Sequence, residues 1–185
     1  MYDLIIIGGG PSGASAGRRA GKLGLNTLLL EKEEFPRYKP CGGGLSAHAI
    51  SYLDFKLPQD IIEWEVTGVK AIFKDQSVNV HKDHRIFALV SRNKFDNFLL
   101  EKAKETEIEV HTGEKALCCR EMPDCIEVDT RQGTYQAKFA IIAEAPRELS
   151  KPVCGQRTIK TNMEFALSLK SLPTKEKLKN ASENP

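Results

Sequence analysis

Residues 4–7, Leu-Ile-Ile-Ile, form a continuous apolar run that stops at three consecutive glycines, and that abrupt change constrains the fold more than any other feature of the chain. An apolar run without alternation suits a central parallel strand covered on both faces. The residues that follow include Ser12, Gly13, Ala14, Ser15, Ala16, Gly17 and Ala20, small enough for a helix over 11–23 to pack closely on a sheet. Gly24 stands where a helix C-terminal glycine belongs. A second apolar run over 27–30 completes a β-α-β unit.

The glycines make the pattern Gly8-x-Gly10-x-x-Gly13, directly after a strand and opening a helix, which is the context that gives the pattern meaning. The first glycine allows the tight turn, the second lets a pyrophosphate approach the backbone, and the third lets helix and strand touch. N–H groups at the helix start, with the positive end of the helix dipole, then attract the pyrophosphate. Glu31 lies 18 residues beyond Gly13 at the end of the second strand. A carboxylate there accepts hydrogen bonds from ribose hydroxyls and repels a 2′-phosphate, which disfavours NADP. The alternative, a glycine-rich turn without a ligand, does not explain why strand, glycines, helix, second strand and acid fall in register. These residues point to a dinucleotide and leave NAD or FAD open.

The rest of the composition excludes other classes. Lys+Arg 27 against Asp+Glu 25 leaves a net charge of +2, with the signs interspersed, so no basic face for nucleic acid is expected. No apolar run approaches the roughly 20 residues of a membrane helix, and the glycines interrupt the only N-terminal apolar run too early for a secretory signal. The five cysteines, Cys41, Cys118, Cys119, Cys125 and Cys154, have no paired C-x-x-C spacing, which argues against a disulfide framework and a metal site and for reduced, cytoplasmic thiols.

Further along, residues 31–44 are too irregular for regular structure and too long for a simple connection, and read as a functional loop. A short helix is expected over 45–53, strands over 66–73, 77–81 and 85–90, and a helix over 92–104 with Phe95, Phe98, Leu99 and Ala103 at helical spacing. Strands over 108–111, 114–119, 126–130 and 134–138 follow, then a buried parallel strand over 139–143. The fold class is therefore α/β, a Rossmann-like FAD/NAD(P)-binding three-layer fold with an inserted antiparallel β meander. Residues 1–150 would form the dinucleotide-binding domain, including inserted strands at about 66–90. Residues 151–185 would begin a truncated substrate domain or form a frayed tail, with one strand over 163–169.

The stretch Glu31-Lys-Glu-Glu-Phe-Pro-Arg-Tyr-Lys-Pro-Cys-Gly-Gly-Gly-Leu-Ser46 resembles the geranylgeranyl reductase family of flavoproteins, which share the p-hydroxybenzoate hydroxylase type of FAD fold. In that family the segment runs beside the flavin. Arg92-x-x-Phe95-Asp96-x-Phe98-Leu99 is similar to the family's arginine-led helix, and Gly113-Glu114-Lys115-Ala116 to the segment whose backbone meets the adenine. With the phosphate loop, the resemblance implies FAD contacts at Gly8, Gly10, Ser12, Gly13, Glu31, Lys32, Cys41, Gly42, Gly44, Arg92 and Ala116. It implies that Cys41 positions or protonates substrate; the competing reading is a small thiol that fills space. For Arg92 and Arg37 the competing reading is a solvated surface arginine.

The implied activity is FAD-dependent reduction of isolated C=C bonds in prenyl chains of isoprenoid lipids or diphosphates, with an external electron donor. Such substrates imply a cytoplasmic enzyme in peripheral contact with a membrane. Two departures from the family stand out. Ala143-Glu144-Ala145-Pro146 replaces the usual Ala-Asp-Gly segment, and the family's later Gly-Asp segment is missing. The missing segment keeps open a truncated, non-catalytic or partner-dependent flavin-binding fragment; a second alternative is a flavin monooxygenase or halogenase of the same fold, which shares the dinucleotide loop but generally lacks the Cys-Gly-Gly-Gly loop.

Overall fold

The computed structural model describes residues 1–144; the expected strand over 163–169, the tail and Cys154 lie outside the described residues. The chain runs through β1 (Tyr2–Ile7), α1 (Pro11–Lys22), β2 (Thr27–Leu30), β3 (Gly44–Ser46), α2 (Ala47–Ser51), β4 (Ile62–Val66), β5 (Gly68–Phe73), β6 (Gln76–His81), β7 (Phe87–Val90) and α3 (Arg92–Lys104). It ends with β8 (Glu109–His111), β9 (Cys118–Glu121), β10 (Ile126–Asp129) and β11 (Thr134–Ile142). Two compact units divide this order. One comprises Met1–Phe35 with the described residues from Phe98 onward, and the other is Pro36–Asn97.

The first unit is built on a six-stranded sheet in the order β8-β2-β1-β11-β10-β9. Strands β8, β2, β1 and β11 are parallel, and β9 and β10 extend the sheet antiparallel beyond β11. Buried Ile6 and Leu29 face α1, where a side chain at Gly17 would touch the δ-methyls of both. Ile5, Ile7, Leu28 and Leu30 cluster instead with Ala116, Cys119, Val128 and Ala137. The two apolar runs are thus covered on both sides, as uninterrupted parallel strands require. Helix α1 ends where Gly24, with φ +71°, turns the chain and its N–H donates to the Gly21 carbonyl at 2.8 Å.

The second unit holds a three-stranded antiparallel sheet, β3-β7-β4, and the separate hairpin β5-β6. Its regular structure begins at Gly44, ahead of the strands expected from residue 66. Strand β4 carries Ile62, Trp64 and Val66 alternating with Glu63 and Glu65, a period-two signal that the sequence reading passed over. Its partner β7 is distant in sequence, so neither strand announces the other locally.

Three further expectations need correction. The region 114–119 is not one strand, because only Cys118 and Cys119 enter β9 and the preceding residues form a connection. Residues 134–138 and 139–143 are not two strands but one, since the nine-residue β11 pairs antiparallel with β10 and parallel with β1. Nor is its second half fully buried, as Phe139 is 48% exposed. The helix expected over 45–53 is shortened to α2, because Gly44–Ser46 pairs with β7 and Ser46 then caps the helix by accepting from the Ala49 N–H at 3.0 Å.

Leu28 is fully buried in the cluster on the sheet face opposite α1. Leu28→Ala is expected to destabilise the fold by about 2–5 kcal/mol, read as a lowered urea midpoint with an unchanged slope.

Candidate functional site

The end of β1 turns sharply into α1. Gly8 has φ +107°, a conformation that side-chain-bearing residues rarely adopt. A Cβ on Gly13 would lie 1.7 Å from the Gly8 carbonyl oxygen, so helix and strand touch through bare backbone. No side chain caps α1 at its start, and the first-turn N–H groups have no intrahelical acceptor. With Pro11 opening the helix, the exposed end around Gly10 and Ser12 is suited to receive an anion.

Glu31 is buried, 4% exposed, immediately after β2. Its Oε2 accepts the Gly9 N–H at 2.6 Å and its Oε1 accepts the Glu33 N–H at 3.0 Å. A carboxylate has about four acceptor positions, so each oxygen keeps one beyond these bonds. The backbone around Glu31 is fastened on both sides, for its N–H donates to the His111 carbonyl and its carbonyl accepts the Glu114 N–H. Lys32 follows, half-buried.

The 111–116 segment joins this arrangement. Gly113 has φ +70°, and a side chain there would strike the Glu34 carboxylate, while Thr112 Oγ1 donates to Glu34 at 2.6 Å. Ala116 is buried in the cluster that contains Ile7 and Leu30, the residues preceding Gly8 and Glu31. Its methyl therefore faces the core. The first unit thus brings together Gly8, Gly10, Ser12, Gly13, Glu31, Lys32 and Ala116.

Glu114 escaped the sequence reading. It is 2% exposed, with Thr130 Oγ1 donating to its Oε1 at 2.6 Å and His111 Nδ1 2.7 Å from its Oε2. Burial pushes its carboxyl up, but the hydrogen bonds from Thr130, Tyr135 and His111 outweigh that and leave it below the usual range. Its partner Thr130 sits in the turn between β10 and β11, so no local pattern marks the acid.

The remaining predicted residues belong to the second unit and are described within it. Gly43 has φ +66°, and a Cβ there would lie 1.9 Å from the Val90 carbonyl oxygen; Val90 in turn donates to the Gly43 carbonyl at 2.9 Å. This pins the Cys41–Gly44 loop to β7. Gly42 and Gly44 are exposed, and nothing within 4 Å would meet a Cβ at Gly42. Cys41 is exposed, which removes the packing role as its explanation. Its Sγ accepts the Gly43 N–H at 3.5 Å. That bond, followed by one from the Arg92 guanidinium, holds the thiol below its ordinary pKa.

Neither arginine is a solvated surface residue. Arg92 is 18% exposed and pairs with the buried Asp96, and Arg37 is 12% exposed with Nη2 3.2 Å from the same carboxylate. Removing that carboxylate would strand two cations, a change that costs about 3–5 kcal/mol when a buried ion pair loses one partner.

A strand, a glycine turn, an uncapped helix N-terminus and an acid at the end of the next strand define a Rossmann-like dinucleotide-binding protein. Residues 5–145 match the pyridine nucleotide-disulphide oxidoreductase family, and the chain belongs to that family. Among curated proteins it is 35% identical over 106 residues to an uncharacterized protein of Methanosarcina barkeri, covering 57% of this chain and 27% of that one. It is 31% identical over 122 residues to the digeranylgeranylglycerophospholipid reductase of Thermoplasma acidophilum, covering 63% and 31% respectively. The chain therefore spans less than a third of the length of these relatives.

Among solved structures, a geranylgeranyl bacteriochlorophyll reductase-like protein from Thermoplasma acidophilum superposes with a TM-score of 0.70 at 27% identity, covering 78% of this chain and 39% of that one. A flavin-dependent brominase superposes with a TM-score of 0.66 at 26% identity, covering 79% and 38%. The fold is that of the FAD-binding oxidoreductases, and the first unit's residues fit such a cofactor. Its glycine turn leaves backbone room, its helix terminus attracts a pyrophosphate, and Glu31 retains acceptor capacity.

The depressed Glu114 pKa has a sign that can be tested. Its stabilisation is complete above the unfolded carboxyl's pKa of about 4.3 and is lost as pH falls through the lower native value. The stability difference between the native chain and Glu114→Gln, from urea unfolding, should be large at neutral pH and should shrink at about pH 3. A difference equal at both would contradict the ionised, hydrogen-bonded carboxylate.

Proposed function

We propose that this chain is the FAD-binding part of a flavin-dependent reductase that saturates isolated C=C bonds in prenyl chains of isoprenoid lipids or diphosphates. The observation that carries the reading is the Cys41-Gly42-Gly43-Gly44 loop, with its thiol held by Gly43 and Arg92, on a chain whose α1 terminus and Glu31 suit a dinucleotide. Similarity to reductases of geranylgeranyl substrates supports it. Prenyl substrates suit an enzyme that meets a membrane peripherally, and no helix among the described residues is long and apolar enough to cross one. An external electron donor completes the proposal.

Bound FAD, once reduced by that donor, would supply the hydride. The chain's own residues divide the remaining work. Gly8, Gly10, Ser12 and Gly13 offer backbone and helix-end N–H groups to the pyrophosphate, and Glu31, beside Lys32, holds the ribose. The backbone at Ala116 meets the adenine. Gly42 and Gly44 permit close approach of a flat ring system, where a Cβ would intrude, and Arg92 holds the loop. Cys41 positions the alkene or delivers a proton from Sγ to the carbon that does not receive hydride. The hydrogen bonds from the Gly43 N–H and the Arg92 guanidinium lower the thiol's pKa and so make it a more ready proton donor.

Likeness to the brominase favours a second reading, a flavin monooxygenase or halogenase. A third is a non-catalytic or partner-dependent flavin-binding protein. Purified protein that is yellow, bleaches with dithionite and saturates a prenyl double bond would support the reductase. Yellow protein that halogenates an aromatic substrate instead would support the second reading, and colourless protein that gains no thermal stability from FAD would support the third.

Two variants test the assignments. Gly10→Val should abolish flavin retention by placing a branched side chain where the pyrophosphate approaches, read from the flavin absorbance of the purified protein; undiminished flavin would overturn the cradle. Cys41→Ser should keep flavin and lower turnover. Unchanged turnover would remove Cys41 from catalysis.

A further inference from the structure

Asp96 is fully buried, and the established features of the loop give it no task. Its Oδ1 accepts Arg92 Nε at 2.7 Å and its Oδ2 accepts Arg92 Nη2 at 2.8 Å, a bidentate pair across one turn of α3. Arg37 Nη2 lies 3.2 Å from the same Oδ2. Arg92 also hydrogen bonds the Cys41 sulfur, and the Gly43 N–H donates to that sulfur at 3.5 Å. One buried carboxylate therefore joins an arginine four residues before the thiol to the arginine that touches it. All of these residues lie in the second unit.

We propose that Asp96 is a positioning residue whose carboxylate holds the Arg92 guanidinium against the Cys41 sulfur and, through Arg37, fastens the front of the same loop. A planar guanidinium gripped at two of its nitrogens is fixed in orientation as well as place. Arg92 can then point its remaining donors at one partner without sampling the rotamers of a free side chain. The bearing of this on turnover rests on the reductase reading above, but the effect on the thiol does not require flavin at all.

The charged groups acting on Cys41 are Arg92, which favours the thiolate, and Asp96 itself, whose negative charge opposes it; the Gly43 N–H favours the thiolate as well. Arg37 faces Asp96. The two roles open to Asp96 therefore predict opposite signs. If Asp96 is only a nearby negative charge, neutralising it lowers the Cys41 pKa. If it positions Arg92, neutralising it frees the guanidinium and raises the pKa.

The experiment is the pH dependence of iodoacetamide alkylation in the purified 185-residue chain, followed by mass spectrometry of the Cys41-bearing peptide so that the other cysteines do not contribute. Asp96→Asn should shift the midpoint upward and slow alkylation several-fold at neutral pH. In an Arg92→Gln background the same substitution should give no upward shift. A downward or absent shift in the native background, in protein whose circular dichroism is unchanged, would overturn the proposal. Should Asp96→Asn fail to fold, Asp96→Glu carries the test, because it keeps the charge and moves the carboxylate by one methylene; the midpoint then rises if position matters and stays put if only charge does. Flavin content, read separately by absorbance, reports on the functional reading, so the two can fail independently.

Discussion

Everything in the first unit depends on one backbone contact, the approach of α1 to the end of β1 at Gly13 and the Gly8 carbonyl. That contact sets the angle at which the helix leaves the sheet and aims its uncapped end. It also places α1 over Ile6 and Leu29, so the same geometry that forms the anion-binding terminus covers one face of the central strands. Burial of apolar side chains is the larger energy, since a fully buried leucine or isoleucine contributes about 1.5–3 kcal/mol. The glycine contact decides which burial is geometrically possible.

The parts of the chain that a reader of the sequence can recover are those specified locally. Residues 27–30 and 92–104 fall where their patterns put them, because an uninterrupted apolar run and a helical period each declare themselves within a few residues. The start of β9 at Cys118 and the continuity of β11 depend on which strand lies alongside, and pairing is information that a single stretch of sequence does not carry. β4 differs, because its alternation of apolar and acidic residues is a local signal.

The candidate site divides along the same line. Gly8, Gly13 and Glu31 are legible because their spacing is itself the geometry. Ala116 and the Cys41–Gly44 loop were reached only by resemblance to a family. Asp96 was visible four residues after Arg92, a spacing that places two side chains on one helical face. Arg37 was not, because its partner lies 59 positions away (96 − 37) and a lone arginine in an irregular loop is exposed far more often than it is buried. Glu114 was hidden because, although His111 is only three residues before it, its partner Thr130 lies in the turn after β10, which pairing alone brings alongside.

The bond from the Gly9 amide to the Glu31 carboxylate has a consequence for how a nucleotide would be received. With both oxygens engaged by main-chain amides and the backbone tied on either flank, the acid has surrendered its torsional freedom when the chain folds. A sugar arriving there would meet an acceptor already oriented, and the entropy of ordering that side chain would not be charged to recognition.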